Sequence, residues 1–269
     1  MHTAIIIPAR YGSTRLPGKP LELIAGKTML QRVYEVALEA RSQVDFEVGI
    51  LIATEDQRIV DHARELGATA VLTSKSCQTG TDRALEAIQH LPQKPDFVIN
   101  LQGDAPLTPP DFIASVIHEF SNDVNLQVVT PVTQMTWDEL DMLRENKITT
   151  PFSGTTAILN KYNDAIWFSK NIIPAIRKEK DLRQQTQKSP VYRHIGIYGY
   201  RRDVLEDYVT LEQSTYENLE GLEQLRLIEN GYQIRAVCVD YKGRPSMSGI
   251  DSPEDIQRAE TLLKKIEVA

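Results

Sequence analysis

Ala4-Ile5-Ile6-Ile7-Pro8-Ala9-Arg10-Tyr11-Gly12-Ser13-Thr14-Arg15-Leu16-Pro17-Gly18-Lys19 is the stretch from which the fold is read. Its first four residues form an unbroken apolar, largely β-branched run closed by a proline. That is the signature of a strand buried on both faces of a parallel sheet, because a half-exposed strand would alternate apolar with polar residues. Working outward, residues 29–40 carry Met29, Leu30, Val33, Tyr34, Ala37 and Leu38 at helical spacing, and the apolar run 48–53 supplies a second buried strand. The three together make one βαβ unit. Residues 57–66 read as a helix, 69–72 as a short strand, 82–90 as a helix and 97–101 as another buried strand. Strands alternating with helices give an α/β fold with a mostly parallel sheet flanked by helices, Rossmann-like in plan.

Beyond residue 123 the pattern loses its regularity. Turn residues gather at 151–154, and the polar stretch 177–189 is expected to be a mobile loop. Helical periodicity returns at 219–228, with Leu219, Leu222, Leu225 and Ile228 expected on its buried face, and again at 253–266 behind Ser252-Pro253-Glu254. The chain is expected to be one domain over 1–269. Within it, 1–120 is expected to be a nucleotide-binding half, 121–215 a smaller inserted α+β lobe, and 216–269 a return to the core.

Composition limits the possible partners. With 41% hydrophobic and 25% charged residues the chain is an ordinary folded one, and a net charge of −7 without any dense basic block argues against binding to nucleic acid or an anionic membrane. No apolar run approaches the ~20 residues of a membrane span. Cys77 and Cys238 lack metal-ligand spacing and are expected as reduced thiols, which points to the cytoplasm.

The loop after the first strand is where an open α/β sheet binds its ligand. Arg10, Arg15 and Lys19 with Gly12 and Gly18 suit an anion such as a triphosphate, since glycine allows close backbone approach and the cations neutralise phosphate. Neither the Walker pattern nor the dinucleotide glycine fingerprint is present, which speaks against an NAD-dependent dehydrogenase. Asp104 closes the 97–101 strand and stands at the same sheet edge, a natural place for a Mg²⁺ ligand. From the residues alone, Asp251 before Ser252-Pro253 reads as a helix-initiating residue, Thr79-Gly80-Thr81-Asp82-Arg83 as a helix cap, and His194 as a hydrogen-bonded structural residue.

Arg10-Tyr-Gly-Ser-Thr-Arg-Leu-Pro-Gly-Lys-Pro20 resembles the opening signature of the 3-deoxy-manno-octulosonate (Kdo) cytidylyltransferases. The likeness continues through Thr79-Gly-Thr-Asp-Arg83, Asn100-Leu-Gln-Gly-Asp104, Trp167-Phe-Ser-Lys170, Arg193-His-Ile-Gly-Ile-Tyr-Gly-Tyr200, Leu222-Glu-Gln-Leu-Arg226 and Gly249-Ile-Asp-Ser-Pro-Glu-Asp255, in the family's order. The resemblance implies the nucleotide-diphospho-sugar transferase-like fold, a homodimer, and transfer of CMP from CTP to a 3-deoxy sugar acid with release of pyrophosphate, for lipopolysaccharide or surface-glycan synthesis. It implies Mg²⁺ on Asp104 and Asp251, with Arg15 and Lys19 offsetting the pyrophosphate, and it gives the 121–215 lobe to acceptor binding and dimerisation. It places Arg10, Gly12, Ser13, Arg15, Lys19, Thr79, Gly80 and Arg83 around the nucleotide, and Gln102, Lys170, His194, Tyr198, Glu223 and Gln224 around the acceptor. Departures from the family's pattern fall on the acceptor side: Ala105 for Glu, Lys170 for Arg, Thr155-Thr156 for Val-Lys, and Ser214-Thr-Tyr-Glu217 for Ser-Pro-Leu-Glu. They leave open a different acceptor, such as an amino-Kdo, another ulosonic acid or a phosphonate. A non-catalytic nucleotide binder is disfavoured by the retention of both carboxylates.

Overall fold

The computed structural model describes residues 1–12, 16–246 and 249–268, with side chains described as far as residue 265. Strand β1 (Thr3–Pro8) runs into the Pro8–Lys19 loop, and a two-stranded hairpin of β2 (Leu23–Ile24) and β3 (Lys27–Thr28) leads to α1 (Met29–Ser42). Then come β4 (Val48–Thr54), α2 (Gln57–Glu65), β5 (Ala70–Leu72), α3 (Gly80–Gln89), β6 (Phe97–Leu101) and α4 (Pro110–Asn122). The chain continues through β7 (Val128–Thr136), α5 (Trp137–Thr149), β8 (Thr156–Leu159), β9 (Ala165–Ser169), α6 (Glu179–Gln185), β10 (Lys188–His194) and β11 (Ile197–Arg201). It ends with α7 (Arg202–Tyr208), α8 (Thr215–Glu220), α9 (Gln224–Glu229), β12 (Ile234–Cys238) and α10 (Pro253–Val268).

Among the described residues the main sheet runs in the order β5-β4-β1-β6-β11-β7-β10-β8-β9, with β12 also paired to β7. Its first four strands are parallel, as the apolar runs require. Ile5 and Ile7 face a layer built from α1, α2 and α4, while Ala4 and Ile6 face α3, α7 and α9, so β1 is buried from both sides. The region 121–215 continues the same sheet through antiparallel pairings of β11 to β6 and β7, β7 to β10, β10 to β8 and β8 to β9.

The structure corrects three local expectations. The stretch 177–189 holds α6 and the start of β10 rather than a loop, because ion pairs to α5 dock a helix that buries none of its own residues: Arg144 and Arg183 both reach Glu179, at 2.8 and 2.7 Å. The helix expected over 219–228 is two helices, broken at Gly221 in the left-handed region (φ 62°), so Leu222, Leu225 and Leu227 are buried while Leu219 is 70% exposed. The apparently irregular segment after residue 123 contains β7 and α5. Buried threonines at 130 and 133 conceal the strand, and only Trp137, Leu140 and Leu143 mark the helix's inner face.

Candidate active site

The parallel strands end along one edge, and the loops leaving β1 and β6 meet there. Gly103 lies so close to the Pro8 carbonyl that a Cβ would collide with it, which keeps any larger residue out of the segment that aims Asp104. Gly249 packs against the Asp104 carboxyl, where a Cβ would sit 3.1 Å from its Cγ, and the Ile250 amide donates to the Asp104 carbonyl at 2.8 Å. These contacts carry Asp251 from the far end of the sequence to the tip of β6. Helix α10 supports the arrangement by burying Ile250 and Ala259 with Ile24 of the first hairpin and Met29 at the start of α1. Ser252 and Asp255 exchange hydrogen bonds at 3.1 and 3.3 Å and so cap α10. The helix-starting role is thereby taken by Ser252, and the Asp251 carboxylate is turned to the site.

Lys19 stands between the two carboxylates. Its Nζ donates to Asp104 Oδ2 at 2.8 Å, Asp251 Oδ1 at 3.0 Å and the Ile250 carbonyl at 2.7 Å. Arg10, Gly12, Lys19, Gly80, Asp104 and Asp251 line a cavity of about 390 Å³. Arg10 is exposed and donates to the Gln78 carbonyl at 3.3 Å. Ser13 and Arg15 lie outside the described residues. Thr79 is committed to capping α3 in a reciprocal box with Asp82 and does not line the cavity. Arg83 is 1% exposed, pairs with Glu55 at 3.0 Å and donates to the Thr73 hydroxyl. It reaches the cavity wall from behind, its charge already matched. Glu55 also accepts from the Tyr11 amide at 3.0 Å, so this pair ties the β1 loop to α3. Glu55 went unnoticed in the sequence, although its place just after β4 is the signal that singled out Asp104.

A second cavity, of about 380 Å³, adjoins the first, and Gln102 and Asp104 belong to both. It brings together all six expected acceptor residues, from five separate segments: Gln102, Lys170, His194, Tyr198, Glu223 and Gln224. Thr130 donates to the Ile197 carbonyl at 2.8 Å and so accepts from His194 Nε2 at 3.0 Å, which assigns the ring proton to Nε2 and leaves Nδ1 as an acceptor. Burial, with the Lys170 charge adding to it, pushes the imidazole pKa down to about 3. His194 is therefore neutral in its working range. Burial raises the Glu223 carboxyl, against hydrogen bonds from Thr81 at 2.9 Å and Tyr208 at 3.4 Å that favour its charged form. Burial lowers Lys170, with Glu220 opposing.

The cavity walls hold polar groups that lack internal partners. Tyr198 Oη and Gln224 Nε2 are buried without hydrogen bonds, each a desolvation cost of about 1–3 kcal/mol unless a ligand meets it. Arg193, also overlooked in the sequence, lines the cavity, and its guanidinium makes no hydrogen bond or ion pair with any described residue. Lys147 braces the same wall by donating to the carbonyls of Pro151, Ser153, Gly154 and Lys170 at 2.5–3.1 Å. Thr156 faces away from the cavity. Its hydroxyl donates to the Asn171 carbonyl at 2.7 Å and accepts from the Ile173 amide at 3.1 Å.

The cytidylyltransferase family matches residues 4–234. The chain is 46% identical over 263 residues to the 3-deoxy-manno-octulosonate cytidylyltransferase of Maricaulis maris (strain MCS10), covering 98% of this chain and 97% of that one. The chain belongs to the Kdo cytidylyltransferase family. Other members agree: the Bacteroides thetaiotaomicron relative is 40% identical over 96% of this cytidylyltransferase and 97% of its own length. A solved CMP:2-keto-3-deoxy-manno-octonic acid synthetase complexed with CTP has a TM-score of 0.83 at 34% identity, covering 99% of this chain and 100% of that one. A Leptospira borgpetersenii cytidylyltransferase, at 17% identity and a TM-score of 0.58, shares the fold. Cys77 and Cys238 of the enzyme are free thiols. No helix among its described residues is long and apolar enough to cross a membrane.

Proposed function

We propose that the enzyme joins CMP from CTP to Kdo and releases pyrophosphate, its product feeding lipopolysaccharide or related surface-glycan synthesis. The observation that carries this is the junction of two chemically different cavities at Gln102 and Asp104. One combines Arg10 and Lys19 with two carboxylates, as a metal triphosphate needs. The other offers two cations, Lys170 and Arg193, for a carboxylate, and a set of unmatched polar atoms for the hydroxyls of a sugar. CTP, attacked at its α-phosphorus by a sugar hydroxyl, would therefore react at the shared wall.

Transfer of this kind depends on alignment and charge neutralisation rather than on a protein nucleophile. Arg10, Arg15 and Lys19 take the phosphate charge, and the Gly12 and Gly80 backbones border the nucleotide. Gln102 spans both substrates, and neutral His194 offers Nδ1 as an acceptor to a sugar hydroxyl. Asp104 and Asp251 fit Mg²⁺: both are hard oxygen donors, and they already converge on one ammonium that marks a cation's position. When bound there, the ion supplies Lewis-acid stabilisation of the phosphoryl oxygens.

The departures at the acceptor side leave Kdo as the acceptor. Position 156 does not face the pocket, so its missing lysine is a change in how the 171–173 turn is held, while Lys170 and Arg193 keep the pocket cationic. Exposed Met142, Ile148 and Phe152, along α5 and the turn after it, support a homodimer in this region. The test is pyrophosphate release with CTP, UTP or ATP against a panel of ulosonic acids, amino-Kdo and phosphonates. CTP with Kdo should give the highest kcat/KM, and another acid surpassing Kdo by about tenfold would displace the assignment.

A further inference from the structure

Lys19 is more completely enclosed by acceptors than a phosphate-binding lysine needs to be. An ammonium has three N–H bonds, and here they meet three oxygens from two distant segments: Asp104 after β6, and Ile250 and Asp251 before α10. Arg10, on the same cavity, is exposed and its guanidinium donates to one carbonyl among the described residues, whereas Lys19 is seated among three acceptors. The seat has a further property. Two carboxylates converge on the ammonium, and carboxylate oxygens brought together in this way are also the hard donor set that a divalent ion takes.

We propose that Lys19 is an exchangeable internal counter-ion. In the metal-free enzyme its ammonium holds Asp104 and Asp251 together, keeping two like charges at bridging separation. A divalent ion displaces it from that position, and the phosphates of the nucleotide in the same cavity are where it goes. Metal and nucleotide then bind with positive coupling, because each relieves the other of a competing partner. This rests on the assignment of Asp104 and Asp251 as the divalent-ion ligands.

The experiment is Mn²⁺ binding to nucleotide-free protein, followed by the EPR signal of the free ion. Lys19→Met and Lys19→Gln should each bind Mn²⁺ about tenfold or more tightly than the native enzyme, because a unit charge a few ångströms from the ion has been removed. Gln keeps an N–H for the Ile250 carbonyl, so agreement between the two variants attributes the gain to charge rather than to loosening of the 249–251 segment. Arg10→Met removes an equal charge that does not occupy the seat and should shift affinity by no more than about twofold. Asp104→Asn in the Lys19→Met background should abolish the gain. If Asp104→Asn leaves Mn²⁺ binding untouched, the metal assignment itself falls. If it weakens binding while neither Lys19 variant strengthens it, the counter-ion proposal alone is overturned. A second measurement needs no variant: acetylation of Lys19 in the native enzyme, read by mass spectrometry, should speed up several-fold on saturation with Mg²⁺. An unchanged rate would show that the ammonium never leaves, and would refute the exchange even if the variants were too unstable to titrate.

Discussion

At the scale of single residues, the proposed metal role makes Asp104 and Asp251 the first groups to test. Exchange of either for Asn keeps its shape and removes its charge, and should lower turnover by about 10² or more, the scale of losing one preorganised electrostatic contact. Steady-state kinetics at saturating Mg²⁺ measures it, and unchanged rates in both variants would remove the metal role. His194 offers a test of a different kind. Its pKa falls from 6.5 to about 3 on folding, so below pH 6.5 the unfolded chain takes up a proton that the native one refuses. Stability should therefore drop on acidification from 6.5 towards 3, by up to about 1.4 kcal/mol per pH unit. His194→Gln should flatten that slope in urea melts between pH 6.5 and 5, and an unaltered slope would show that the imidazole is not held neutral. The residues of this site were legible unequally. Asp104 and the β1 loop follow from their place after buried strands, whereas the acceptor residues became visible only through the family resemblance, since five segments contribute them. The Lys19 seat and the Glu55–Arg83 pair were illegible because they join positions whose proximity only the folded chain creates.

At the scale of elements, legibility tracks how much of an element is apolar. Strands β1, β4 and β6 are continuous apolar runs and were read nearly to the residue, as was α1. Helix α6 gave no such signal, since charge rather than burial holds it. Arg144 and Arg183 hold the Glu179 carboxyl down to about 2, from an ordinary 4.5. A lowered carboxyl pKa contributes stability above the unfolded value and loses it as pH falls, so the docking of α6 should weaken below about pH 4.5. At neutral pH, Glu179→Gln should speed hydrogen exchange in residues 179–185 roughly fivefold and leave β1 unchanged. Equal protection in mutant and native protein would mean that packing, not the ion pairs, holds this helix.

At the scale of the whole molecule, one sheet runs across residue 120 without a break in the fold. Strand β6 pairs with β11 along Phe97–Leu101, and the core under β1 draws Val129 and Ile197 from later in the chain. A fragment of residues 1–120 is therefore expected to expose an apolar sheet edge and to aggregate. A monomeric fragment with native-like circular dichroism would contradict this. The β6–β11 pairing also sets a clock on the ribosome. Leu101 is made long before Ile197, and at about 5–20 residues per second the growing chain carries β6 with one edge open for roughly 5–20 s before that neighbour exists. During that interval the nascent polypeptide depends on chaperones, or on a low temperature that weakens apolar association, to stay soluble. Yield in recombinant expression is then governed by translation speed between those two strands, before any property of the finished enzyme comes into play.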